Sequence, residues 1–90
     1  MTEDADRVLR ELRAEIDRID GEIFAALNRR LGVVARLKQH KDEHGLSFLD
    51  PDRERRIVEG RVRANEGPLS EAGVRHFYAE LLALVKRELG

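Results

Sequence analysis

The chain of 90 residues contains no cysteine and no tryptophan, and it has only two prolines and few aromatic residues. The absence of cysteine excludes disulfides, thiolate nucleophiles and cysteine zinc sites, and it suits a reducing compartment such as the cytoplasm. No segment approaches the roughly 18 apolar residues of a membrane span, and the acidic start has no signal core. We therefore expect a cytoplasmic protein whose core consists of aliphatic side chains.

Charge is abundant but balanced. Charged residues make up 39% of the chain, yet 17 basic and 18 acidic residues leave a formal net charge of only -1. A strongly basic surface would favour nucleic acid or an anionic membrane as the partner. This composition gives no reason to expect either.

The first half of the chain has the apolar spacing of a long amphipathic helix. Apolar side chains recur every three or four residues, and no proline interrupts them before Pro51. Gly45 is the expected C-terminal cap. The repeating positions are Leu9, Leu12, Ile16, Ile19, Ile23, Leu27, Leu31, Val34 and Leu37.

Two shorter helices are predicted after this one. Asp50 is a suitable N-cap and Pro51 a suitable first residue for the second helix, and Ser70 can cap the third. The segment "ANEGPLS" separates the two. The apolar positions are Ile57, Val58 and Val62 in the second helix, and Val74, Phe77, Tyr78, Leu81, Leu82, Val85 and Leu89 in the third.

The length of the first helix predicts a dimer. About 35 residues at roughly 1.5 Å each exceed 50 Å, whereas a compact domain of this size has a radius of gyration of about 12 Å. A single chain would leave much of the apolar stripe in water. We therefore expect one all-α domain over residues 1–90, with one long and two shorter helices, that pairs with a second copy. The two additional helices argue against a simple coiled coil.

Cations interrupt the apolar face of the first helix. Arg30 and Lys41 are eleven residues apart, so they project within about 20° of each other. Arg53 and Glu54 each lie one turn before an apolar residue of the second helix. Any one of these side chains alone would be read as a long stem with its charge in water. Several cations that converge on one apolar region instead indicate a bound small anion with several negative charges.

These residues also form a recognisable pattern. "LRAEIDRIDGEIFAALNRR", Lys41 and "DPDRER" together resemble the all-α class of chorismate mutases. The resemblance covers Leu12 to Glu54 without a gap and continues more loosely through the third helix. It implies an intramolecular Claisen rearrangement of chorismate to prephenate, a step of the shikimate pathway toward phenylalanine and tyrosine, without cofactor or metal.

The resemblance also implies roles for particular residues. It implies an intertwined helical homodimer with two equivalent sites, to each of which Arg13 is supplied by the partner chain. Arg30 and Arg53 match positions that hold substrate carboxylates, and Lys41 matches the cation at the ether oxygen. Glu54 and the backbone near Asp50 match the groups that hold the ring hydroxyl.

The third helix departs from the family pattern. The family commonly has a small hydroxyl residue and then Gln or Glu one turn later, and the preferred register puts Val85 and Leu89 there. A shift of one residue would bring Leu84 and Glu88 instead, and Glu88 would have to be protonated to donate to the ether oxygen. With Leu89 in this place, we expect a weak enzyme, an activating partner similar to DAHP synthase, or a related substrate.

Several alternatives remain open at the level of sequence. An isochorismate-pyruvate lyase or an aminodeoxychorismate mutase would share this fold and many of the same cations. A non-catalytic dimerisation or regulatory module of a shikimate-pathway enzyme is the alternative of a different class. His40 and His44 have a spacing that can hold zinc, but no third ligand is evident, and we predict no metal.

Overall fold

A computed structural model describes residues 2–90 and contains three α-helices. They are α1 (Glu3–Glu43), α2 (Pro51–Ala64) and α3 (Glu71–Leu89), and these described residues include no strand. The prediction of an all-α chain with one long and two shorter helices is confirmed. At 41 residues, α1 is longer than the predicted 35, because the acidic residues of its first turn also adopt helix.

The helix ends lie where local sequence signals put them. The Asp50 carboxylate accepts a hydrogen bond from the backbone N–H of Arg53 at 3.1 Å, and Pro51 opens α2. The Ser70 hydroxyl accepts from the N–H of Gly73 at 3.0 Å. Gly45 follows α1 with a φ of 67°, a conformation that favours glycine. All three predicted caps are therefore confirmed.

The chain divides into two compact units, one that ends at Arg36 and one that spans Leu37–Gly90. From Glu3 onward the first unit is a single stretch of α1 in which no residue is buried. Four of its large apolar side chains are half-buried, namely Leu9, Leu27, Leu31 and Val34. Seven others are exposed, namely Val8, Leu12, Ile16, Ile19, Ile23, Phe24 and Val33.

The second unit contains the buried core. Val74, Leu81 and Val85 are 5%, 9% and 5% exposed, and they lie on one face of α3. α2 packs against α3 in this unit. Phe77 is an apolar position of the predicted stripe but, unlike these three residues, is 53% exposed. It lies about 60° around the helix from Val74, at the edge of the buried face.

An ion-pair network on the surface also joins α2 to α3. The Arg75 guanidinium donates to both oxygens of Glu59, at 2.6 and 3.1 Å, and to Glu71 at 3.0 Å. The hydrogen bond from Arg75 is the main cause that lowers the pKa of the Glu59 carboxyl below its usual range, and the positive charges of Arg75 and Arg63 act in the same direction.

No helix among residues 2–90 is both long enough and apolar enough to cross a bilayer.

The Glu59 pair predicts a stability difference that depends on pH. The pKa of Glu59 is lower in the folded state than in the unfolded state. The ion pair therefore contributes to the stability of the fold above the unfolded-state pKa of about 4.3, and this stabilisation is lost as the pH falls through the folded-state pKa. Glu59→Gln should therefore lower the melting temperature slightly at pH 7 and leave it unchanged at a pH below the carboxyl range. Glu66→Gln, in the exposed loop before α3, is the matched control. An equal loss at both pH values would contradict this assignment.

Candidate active site

The N-cap and first turn of α2 carry three of the predicted site residues. Asp50 is half-buried, and its carboxylate is held by the N–H of Arg53 as the helix cap. This bond fixes the start of α2, so that Arg53 and Glu54 follow in a defined position. The Arg53 side chain is exposed, whereas Glu54 is half-buried.

Glu54 is bound by a residue that the sequence did not single out. The Lys86 ammonium of α3 lies 2.9 Å from Glu54 Oε1. Glu54 is in the first turn of α2 and Lys86 in the last turn of α3, and each charge is favoured by its own helix end. The contact joins the beginning of α2 to the end of α3. The sequence offered one signal for this contact, which is that Lys86 lies in the last turn of α3, next to the predicted site residue Val85.

A second lysine also contacts the end of α3. The Lys38 ammonium donates to the backbone carbonyl of Leu89 at 2.8 Å, and it lies 5.8 Å from the centre of the Phe48 ring. Lys38 belongs to the last two turns of α1, which are part of the second unit. Lys41 follows one turn later, is half-buried, and takes part in none of the ion pairs found among residues 2–90.

The exposure of α3 bears on the choice between its two registers. Val85 is buried and Leu89 half-buried, while Glu88 is exposed. These values favour the register in which Val85 and Leu89, rather than Glu88, face the interior of the second unit. Which side chain approaches a substrate stays a prediction.

The two remaining cations lie in the first unit and differ in burial. Arg13 is exposed, whereas Arg30 is half-buried. The Nη1 atom of Arg30 is shielded from solvent and has no hydrogen-bond partner among the described residues. A shielded guanidinium nitrogen without a partner is costly unless an acceptor outside the described chain, such as an anion, accepts its hydrogen bond.

The histidine pair is a local contact near the end of α1. The rings of His40 and His44 are 4.3 Å apart, and His44 Nδ1 lies 2.8 Å from the carbonyl oxygen of His40. Within residues 2–90, no cluster of three or more His, Cys, Asp or Glu side chains has an arrangement that would hold a metal ion.

Comparison with known proteins gives a consistent result. The family model described as chorismate mutase type II matches residues 12–88. The chain is 38% identical over 79 residues to a bifunctional chorismate mutase/prephenate dehydratase of Aquifex aeolicus, which covers 83% of this chain and 22% of that protein. It is 36% identical over 45 residues to a 4-amino-4-deoxychorismate mutase of Streptomyces venezuelae, which covers 50% of this chain and 44% of that protein.

The chain thus spans less than half the length of each of these two relatives. Among solved structures, it resembles a chorismate mutase of Thermus thermophilus with a TM-score of 0.83 and 28% identity. That alignment covers 86% of this chain and 96% of the Thermus chain.

Arg30 yields a prediction about stability. Arg30→Met keeps an unbranched apolar stem and removes a guanidinium that has one shielded nitrogen without a partner. An unsatisfied buried polar group costs about 1–3 kcal/mol, so the melting temperature should stay the same or rise. Arg29→Met, at the exposed neighbouring position, is the control in thermal unfolding followed by circular dichroism. A loss of stability larger than that of the control would mean that Arg30 has a structural partner.

Proposed function

Because this chain belongs to the type II chorismate mutase family, a family of isomerases, we propose that it catalyses the rearrangement of chorismate to prephenate. The observation that carries the proposal is the shielded Nη1 atom of Arg30, which lacks a partner within the described chain. Chorismate carries two carboxylates, and one of them supplies the anion that this nitrogen needs.

The chemistry requires little beyond orientation and charge. The ether C–O bond breaks while a C–C bond forms between the enolpyruvyl arm and the ring, and no proton, electron or outside group is transferred. Fixing both carboxylates holds the arm over the ring and reduces the entropic cost of reaching the reactive geometry. A cation at the ether oxygen then stabilises the negative charge that develops there.

Particular side chains are suited to each of these tasks. We assign the two substrate carboxylates to Arg30 and Arg53. Lys41 is half-buried and takes no part in the ion pairs of residues 2–90, so its ammonium is left to donate to the ether oxygen. Glu54, together with the backbone near Asp50, is assigned to the ring hydroxyl. Val85 and Leu89 supply apolar surface beside the ether oxygen.

We propose a second copy of the chain as the partner of α1. Seven large apolar side chains of the first unit are exposed, a stripe that a monomer would leave in water. A second copy brings an identical stripe and buries both at once. Arg13 lies between Leu12 and Ile16 of this stripe, so pairing would carry it into the neighbouring chain and allow it to act there in trans.

Three finer points remain predictions. The Streptomyces relative is named for an amino analogue of chorismate, which makes that compound a second candidate substrate. The Aquifex relative is bifunctional, and a fused or activating partner, such as a DAHP synthase, stays a prediction for this chain. So does its location in the cytoplasm.

Turnover of purified chain tests the activity directly. Chorismate should disappear, as followed by its ultraviolet absorbance, and prephenate should appear as the product. Isochorismate and 4-amino-4-deoxychorismate are assayed in parallel. Salicylate and pyruvate from isochorismate would instead identify a lyase, and no turnover of any of the three would favour the non-catalytic module.

Mixing two inactive variants tests the dimer and the role of Arg13. Arg13→Met and Arg30→Met should each lose most activity. After exchange, mixed dimers would have one site with both substitutions and one with neither, so about half of the mixed dimers' sites should work. If activity stays at the level of the separate variants despite demonstrated exchange of subunits, Arg13 does not act in trans.

A further inference from the structure

We infer that Lys86 is a specificity-determining residue, which makes the site prefer a ring hydroxyl over a ring ammonium by cancelling the charge of Glu54. The inference rests on the proposed function, since it concerns the group that Glu54 meets on the substrate. It starts from the 2.9 Å contact between Lys86 Nζ and Glu54 Oε1.

The ion pair is formed by the fold before any substrate binds. Glu54 and Lys86 lie on different helices, and their side chains are 31% and 45% exposed. The packing of α2 on α3 therefore brings them together, with each charge at the helix end that favours it. A substrate that approaches Glu54 meets a carboxylate whose charge is already balanced.

The geometry leaves one acceptor available. Lys86 contacts Oε1, and the other carboxylate oxygen of Glu54 has no hydrogen bond within residues 2–90. An uncharged hydroxyl can donate to that oxygen at no electrostatic cost, because it needs an acceptor and not a net charge. The pair thus provides the hydrogen bond without the field of a free carboxylate.

An ammonium at the position of the ring hydroxyl would be subject to both attraction and repulsion. It would be attracted by Glu54 but repelled by Lys86, a like charge only a few ångströms farther away. Removing the Lys86 charge leaves Glu54 as an unbalanced anion, which favours a cationic substituent. The amino analogue named for the Streptomyces relative is such a compound, so both substrates occur among the relatives of this chain.

The test measures the ratio of kcat/KM for chorismate to kcat/KM for 4-amino-4-deoxychorismate, from the consumption of each in an equimolar mixture. If the amino compound is not consumed, its inhibition constant against chorismate replaces its kcat/KM. Lys86→Met should lower the preference for chorismate on the order of fivefold, the size expected for an ion pair between partly exposed groups. Lys86→Arg should keep the preference, because it keeps the charge.

Glu54→Gln provides the opposing variant. It leaves Lys86 as an unbalanced cation, so the preference for chorismate should rise while total activity falls. Opposite changes from the two partners are the signature of charge balance. A merely structural ion pair would lower activity in both variants and leave the ratio unchanged. Arg87→Met, at the exposed neighbouring position, controls for loss of a positive charge from the end of α3.

The outcomes separate the inference from the function on which it rests. A wild-type chain that turns over chorismate, with the same ratio in Lys86→Met as in Arg87→Met, would overturn the role of Lys86 and leave the mutase proposal intact. Absence of turnover of both compounds by the wild-type chain would overturn both. Thermal unfolding of each variant establishes that the ratios come from folded protein.

Discussion

The burial of one face of α3 is the constraint on which the second unit depends. Val74, Leu81 and Val85 are the buried residues of the described chain, and all three lie on this helix. They repeat at intervals of seven and four residues, which keeps them on one side of a helix. α2 packs against α3, and this packing brings the polar groups of the two helices within reach of each other.

Charged side chains use this packing at both ends of the α2–α3 pair. Arg75 near the start of α3 binds Glu59, and Lys86 near its end binds Glu54. The first pair lies on an open surface, where such contacts contribute little to stability. The second pair joins the helix end that also carries Asp50 and Arg53, so its main consequence is for the charge of the candidate site rather than for the fold.

Arg30 differs from these paired cations. Its Nη1 atom is shielded, yet the described chain offers it no acceptor, whereas Arg75 and Lys86 each have a carboxylate oxygen at hydrogen-bond distance. A protein that gained only stability from Arg30 would do better with an aliphatic residue there. Under the proposed function, a substrate carboxylate would supply the acceptor that this nitrogen lacks.

The sequence by itself determined the helices and their caps, because these features depend on residues close together in the chain. It also determined the family, through a pattern of residue types at fixed spacing that needs no tertiary contact. Asp50 with Arg53, Ser70 with Gly73, and the turn at Gly45 act within four residues, so their effect can be read directly. Phe77 shows where this reading stops, since periodicity alone does not give the width of the buried face. Only the tertiary structure decided that Lys86 pairs with Glu54 and that Lys38 binds the carbonyl of Leu89. Those contacts join residues far apart in the chain, and they depend on how far each helix is shifted and rotated against its neighbour, which no local pattern specifies.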